Sequence, residues 1–418
     1  MINGKAAFGV TPPFGKGRWG GISIEREQTM NSILIHNIGV LLTGDMKEPR
    51  SKKDSIYIED GRFAEIGTNR GDADTIIDAK GMLVSPGLID GHVHPTIGDF
   101  TAAQNSTSWV THYLHCGITR MVSAGEIHYP GLPFDLQDPK LYKGLARLTK
   151  LCYDRERPSG VKVDAGTLIL TTGLTEADFD ELVDLGSKCV KFIFYPYGKN
   201  EGEDERYVCW AKERGLVVKI HSGGVSRSGA SVPAGADLIL RLRPDVVGHI
   251  NGGPIPMSLS DMDRIIEETD LWLEISYAGN YGATVHVVKK AMEKGKLNRI
   301  VLGTDTPAGT GVTPRGILRT LGLISSLGGV DPEISICFAT GNVAKAHHLD
   351  TGLIKPGMPA DLVIMGKIQG CQARDDLDVF RIGDLPGVTM VIIDGKIRIR
   401  DRSYQTPPPL MRAVVEKE

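Results

Sequence analysis

Residues 189–221 read CVKFIFYPYGKNEGEDERYVCWAKERGLVVKIH. An apolar run, CVKFIFY, gives way to a polar turn, then to the amphipathic stretch DERYVCWAKERG, then to a second apolar run, LVVKIH. That order is strand, helix, strand. Working outward, further apolar runs stand at VSPGLIDGHVH (84–94), ITRMVSAG (118–125), KVDAGTLIL (162–170), DVVGHING (245–252), LWLEISYAG (271–279) and RIVLGTDT (299–306). Amphipathic segments such as TEADFDELVDLG and SDMDRIIEET fall between them. Eight strand–helix units in succession predict an α/β protein with a closed parallel (β/α)8 TIM barrel rather than an open doubly wound sheet. No GxGxxG follows the first strand, which also argues against a dinucleotide fold.

The flanks follow another rhythm. SILIHNIGVLLTG, DSIYIEDGRFAEIG and ADTIIDAKGMLV are short strands punctuated by Asp-Gly and Lys-Gly turns. Near the other end, TGLIKPGMPADLVIMG and GVTMVIIDGKIRI answer them, the last a hairpin around Asp394-Gly395. The expected organisation is a small β-sandwich built from residues 30–85 and 350–409, enclosing a barrel over residues 86–349. Residues 1–29 are rich in Gly and Pro and have no apolar signal-peptide core, so a disordered extension is expected there.

Composition bounds the function. The 418 residues exceed the roughly 250 of one barrel. A net charge of −3 gives no reason to expect nucleic acid or an anionic membrane as partner. No apolar run reaches the roughly 20 residues of a membrane helix. Six scattered cysteines without CxxC spacing read as reduced thiols of a cytoplasmic protein.

In a barrel of this kind, chemistry sits at the C-terminal ends of the strands. The first strand ends in His92-Val93-His94, and alternation turns both imidazoles to the same face. Two such rings suit a divalent ion, although HxH alone is a weak signal. The fourth strand carries Lys191 inside an apolar run, where burial favours the neutral amine. A neutral amine takes up CO2 to give an anionic carbamate that bridges metals. The plainer alternative is a lysine snorkelling to the strand end. Lys188 competes, but its position fits the start of the strand. The fifth and sixth strands end in His221 and His249, and the eighth in Asp305. Singly, each has an ordinary structural explanation, a core histidine or a helix cap. Together, at matching strand ends, they point to a two-metal site. His36, His112, His115, His347 and His348 are expected to be structural, and His286 to lie on a helix surface.

The ligand pattern resembles the amidohydrolase superfamily, in particular its hydantoinase and dihydroorotase type with a bridging lysine. The likeness runs from Met30 to about Pro409 and includes PGLIDGHVH at the first strand and KPGMPADLVIM near the end. The runs HINGGP (249–254), TDTPAGTGVTPRGILR (304–319), ATGNVAKAHHL (339–349) and IIDGKI (392–397) look like those of the enamidases, which open a cyclic amide. The resemblance implies a hydrolase that splits a C–N bond in a small cyclic amide or lactam through a hydroxide bridging two divalent metals. Zinc comes first as the metal, with iron or manganese open, and Lys191 is N6-carboxylated. His92, His94 and Asp305 would hold one metal, His221 and His249 the other, and Asp305 would move the proton. Loop residues expected near the substrate are Glu126, His128, Tyr195, Tyr197, Tyr277, Asn280, Thr310 and Arg315. Arg315 suits a substrate carboxylate. Similar enzymes are commonly homotetramers. Three other readings remain: an exocyclic amidase or deacetylase, an aminohydrolase acting on a heterocycle, and a hydantoinase-like scaffold without catalysis. Such scaffolds have lost metal ligands, whereas this chain has each of them.

Overall fold

The computed structural model describes residues 32–95, 108–127, 132–195, 197, 202–225, 231–253, 255–307 and 311–418. The expected extension at 1–29 and the candidates His128 and Thr310 lie outside the described residues. The described chain is mixed α/β.

The central region carries two parallel sheets. Leu88–Val93, Ile118–Ser123 and Lys162–Asp164 form one, and Leu168–Ile169, Cys189–Phe192, Val217–His221, Val246–Gly248, Trp272–Ser276 and Ile300–Gly303 form the other. The third sequence segment therefore serves both sheets. Its interruption falls at Ala165–Thr167, where Gly166 takes φ +90°, a left-handed conformation that costs a non-glycine residue energy. A Cβ there would stand 2.8 Å from Lys150 Cβ, so side-chain space is also lacking. At the other edges, Val93 bridges Thr306 in parallel, which joins the last strand to the first.

Local chemistry starts and stops the intervening helices. Pro139–Arg155 has Asp138 accepting the Lys140 amide, and Glu176–Leu185 carries a Thr175/Asp178 capping box with left-handed Gly186 at its end. Leu259–Glu268 starts on Ser258, and Tyr281–Glu293 on Asn280.

Two further sheets draw on both ends of the chain. One runs Val414–Lys417, Thr75–Asp78, Ser32–His36, Ile56–Glu59, Arg62–Ile66. The other runs Lys396–Ile399, Gly387–Ile393, Leu362–Gly366, Leu83–Pro86, Val40–Leu42, Arg50–Ser51. Ile35, Ile58 and Ile77 of the first pack with Val84, Ile364 and Ile392 of the second in one buried cluster. Asp394 and Gly395 both take positive φ, as a two-residue hairpin turn demands. The strand Val414–Lys417 lies beyond Pro409, where the sequence pattern stops signalling structure. Its residues are mostly exposed, so it carries no buried run to read.

The last and first parallel strands approach closely because Gly303 has no side chain. A Cβ at Gly303 would stand 2.4 Å from His92 Cβ and 2.9 Å from His92 N. Gly303→Ala is expected to destabilise the protein by about 1–3 kcal/mol through overpacking. Urea unfolding of the metal-free protein checks this: the midpoint should fall with the slope unchanged, and an unmoved midpoint would refute it.

Candidate metal centre

His92 and His94 end the first parallel strand on one face, and both rings are buried. Their Nδ1 atoms are engaged behind the site. His92 Nδ1 lies against Glu274 Oε1, and His94 Nδ1 lies 2.5 Å from the Gly125 carbonyl oxygen. Their Nε2 atoms both face Asp305, whose Oδ1 lies 3.4 Å from His92 Nε2 and 3.0 Å from His94 Nε2. The candidate ligand atoms of His92, His94 and Asp305 all fall within 4.8 Å of one another.

Asp305 follows the strand Ile300–Gly303 at φ +60°, and its amide donates to the His92 carbonyl at 2.9 Å. His249, after Val246–Gly248, also takes positive φ, at +39°. Backbone of this kind costs on the order of 1–3 kcal/mol and persists only where the surroundings fix it.

Lys191, in the strand Cys189–Phe192, is 1% exposed, and its Nζ lies 2.8 Å from His92 Nε2. Burial lowers the Lys191 ammonium to about 8, against the attraction of Asp305 and Glu274. Lys188 stands apart, pairing with Asp164 at 2.9 Å. The His221 and His249 rings lie 4.6 Å apart, and the His249 ring lies 5.5 Å from that of His92. His221 Nε2 lies 3.0 Å from the Gly224 carbonyl oxygen, while His249 Nδ1 is buried with no hydrogen-bond partner.

This donor set fits divalent cations. Four imidazoles, a carboxylate and an amine converge in a buried space, and one buried ring nitrogen has nothing to bind. The rings are held neutral, as ligation requires. Burial carries His221 down to about 4 and His249 to about 3, and the positive charge of Lys191 adds to the effect on both. Burial also puts His92 well below its ordinary value. For Asp305, burial works toward protonation, but the neighbouring His92 and His94 hold the carboxyl well below the usual carboxylate range.

Glu274 and Lys219 are also buried beside this cluster and are not among the sequence candidates. Glu274 reaches His92, and Lys219, the cross-strand partner of Lys191, donates to the Gly91 carbonyl at 2.6 Å. Each sits within an apolar run, LWLEIS and LVVKIH, the signal that singled out Lys191.

The loop candidates are less gathered. Tyr195 is buried with its hydroxyl unpartnered and its ring stacked on Phe192. Tyr197 is tied to its own loop, its hydroxyl oxygen accepting the Ile193 and Phe194 amides at 2.6 and 2.7 Å. Glu126 accepts from the Ser123 hydroxyl and the Gly166 amide, and burial pushes its carboxyl up to about 8. Tyr277 lines a cavity of about 320 Å³ with Tyr281 and Arg319. The Asn280 side-chain oxygen caps its helix by accepting the Ala283 amide at 2.9 Å. Arg315 is exposed just before the helix Gly316–Ser326. His286 sits half-buried on the helix Tyr281–Glu293, 2.8 Å from Asp263.

The chain resembles known proteins along most of its length. Residues 280–398 match the model of the Amidohydrolase family. Enamidase of Eubacterium barkeri is 42% identical over 384 residues, covering 91% of this chain and 98% of that one. A 5'-deoxyadenosine deaminase of Methanosarcina mazei is 25% identical, over 89% of this chain and 94% of its own. A crystal structure of enamidase superposes with a TM-score of 0.85 at 41% identity, covering 92% of this chain and all of the other.

The lowered histidines carry a pH consequence. Unfolded histidines take up protons as pH falls below 6.5, while folded His221 stays neutral down to about 4. The unfolded state then binds more protons, so stability drops as pH falls through this window. The metal-free protein should lose about 3 kcal/mol on account of His221 alone between pH 6.5 and 4. Urea unfolding across that range should show a shallower loss in His221→Asn, and parallel profiles would contradict the assignment.

Proposed function

The chain belongs to the amidohydrolase family and is a metal-dependent hydrolase of C–N bonds, and we propose that its substrate is a small cyclic amide opened at the ring C–N bond. The observation that carries this reading is the convergence of His92, His94 and Asp305, with Lys191 against His92, in a chain 42% identical to an enamidase.

His92, His94 and Asp305 would hold one metal, and His221 and His249 the second. Lys191 would bridge them as a carbamate. Its lowered ammonium supplies the free amine, which forms an N–C bond to CO2 and releases a proton. When bound, two divalent cations lower the pKa of a shared water and polarise the substrate carbonyl. Asp305, held ionised, takes the proton of the attacking water at its carboxylate and passes it to the departing ring nitrogen. The imidazoles stay neutral throughout, and burial keeps bulk water out.

The same proposal includes the (β/α)8 barrel, with a β-sandwich from both chain ends. In its support, eight parallel segments follow one another round to the Val93–Thr306 bridge, and one apolar cluster joins the two flanking sheets. It further takes zinc as the metal and a homotetramer in the cytoplasm as the working state. Exposed Tyr404, Leu410 and Met411 offer apolar surface for a subunit contact. No helix among the described residues is long and apolar enough to cross a membrane. Arg315 would meet a substrate carboxylate, and His128, Tyr195, Tyr277 and Asn280 are proposed as further substrate contacts.

A panel of cyclic amides, imides, N-acyl compounds and aminoheterocycles, scored by mass spectrometry on zinc-loaded protein, tests the substrate class. Gain of one water with ring opening is expected, and Asp305→Asn should lower turnover by about 10²–10⁴-fold. Ammonia release from an intact ring would favour the deaminase reading that the 25% relative suggests, and cleavage into two fragments an exocyclic amidase. In parallel, Lys191→Ala should fail to retain both metals after dialysis. Full occupancy in that variant would remove the bridge.

A further inference from the structure

Glu274 is fully buried in the middle of the strand Trp272–Ser276, facing the metal centre rather than solvent. Its Oε1 touches two of the candidate ligands at once. It receives the ring Nδ1 of His92, from the first parallel strand, and the backbone amide of His249, just after the strand Val246–Gly248, at 3.1 Å. The Glu274 carbonyl oxygen also accepts the amide of Ile250 at 2.8 Å, so Glu274 grips the turn that begins at His249 on both sides. The other carboxyl oxygen, Oε2, is buried without a partner.

A carboxyl group in this setting is expensive, because a buried polar oxygen left unpaired costs free energy that an apolar side chain would not. Its geometry shows what the group does there. An accepting oxygen at Nδ1 keeps the His92 proton on that nitrogen and leaves the Nε2 lone pair directed at Lys191. The same oxygen holds the His249 amide while that residue sits in the left-handed region, at φ +39°. His92 belongs to one proposed metal and His249 to the other.

We propose that Glu274 is a positioning residue that couples the two halves of the metal centre, orienting His92 through its ring and His249 through its backbone. This inference rests on the two-metal reading given above. It predicts that the two metals are not gained and lost independently, because one carboxylate oxygen sets a ligand of each.

Zinc titration against a competing chelator tests this on the wild-type chain, Glu274→Gln and Glu274→Leu. Absorption of the cobalt-substituted forms and melting of the metal-free forms accompany the titration. Wild-type protein should bind two zinc ions. Glu274→Gln, which keeps an acceptor oxygen but loses the charge, should weaken both by about 10–100-fold, the size of effect that changing an outer partner of a metal-bound histidine has. Glu274→Leu should weaken both at least as much, and the cobalt spectrum should change in both variants. The metal-free melting temperature should stay level in Glu274→Gln, whose amide oxygen still accepts from His92 and His249, which separates loss of positioning from loss of fold. Weakening confined to one zinc, or two zinc ions held with wild-type affinity in both variants, would overturn the coupling while leaving the two-metal reading intact. A wild-type chain that binds no zinc would overturn both.

Discussion

The site depends on one buried carboxylate that clamps the first parallel strand to the last. Asp90 Oδ1 accepts the amides of His92 at 3.2 Å and Thr304 at 2.9 Å, and its Oδ2 accepts the Thr304 hydroxyl at 2.6 Å. Those contacts fix the register in which His92 and His94 face Asp305. Complete burial pushes the Asp90 carboxyl up to about 7, against the pull of these donors. The strands come close enough for the clamp because both carry glycine at the contact. A Cβ at Gly91 would stand 2.7 Å from the Leu302 carbonyl oxygen, as one at Gly303 would strike His92. The chain therefore gives up side-chain packing at this seam and gains the approach of a carboxylate to two histidines.

Around that seam, charge is arranged to receive cations. Asp305 stays ionised, the imidazoles stay neutral, and Lys191 gives up its proton more readily than an exposed lysine. The left-handed backbone at Asp305 and His249 is part of the same design, since each residue turns back toward the centre at the end of its strand. Such conformations are retained where neighbouring hydrogen bonds over-determine them. Here the His92 carbonyl holds Asp305, and Glu274 holds His249.

Much of this was legible because strands buried on both faces leave few reasons for a charged side chain. Lys191 stood out for that reason, and its distance from the start of the strand separated it from Lys188, which pairs with Asp164. Glu274 sent the same signal but has no metal-ligand spacing around it, so its neighbours in the chain say nothing of its partners on two other strands. The break in the third segment was hidden because Ala165-Gly166-Thr167 is small and uncharged, as a strand permits. Loop residues were the least readable. Asn280 also caps a helix and Tyr197 braces its own loop, local roles that no apolar run announces.

A binuclear centre bridged by Lys191 can be seen by anomalous diffraction at the zinc edge from crystals grown with zinc and bicarbonate. Two peaks about 3.5–4 Å apart are expected, one beside His92, His94 and Asp305 and one beside His221 and His249, with carboxylate density continuing from Lys191 Nζ to both. A single peak, or two peaks beside a Lys191 that ends in a bare amine, would contradict it.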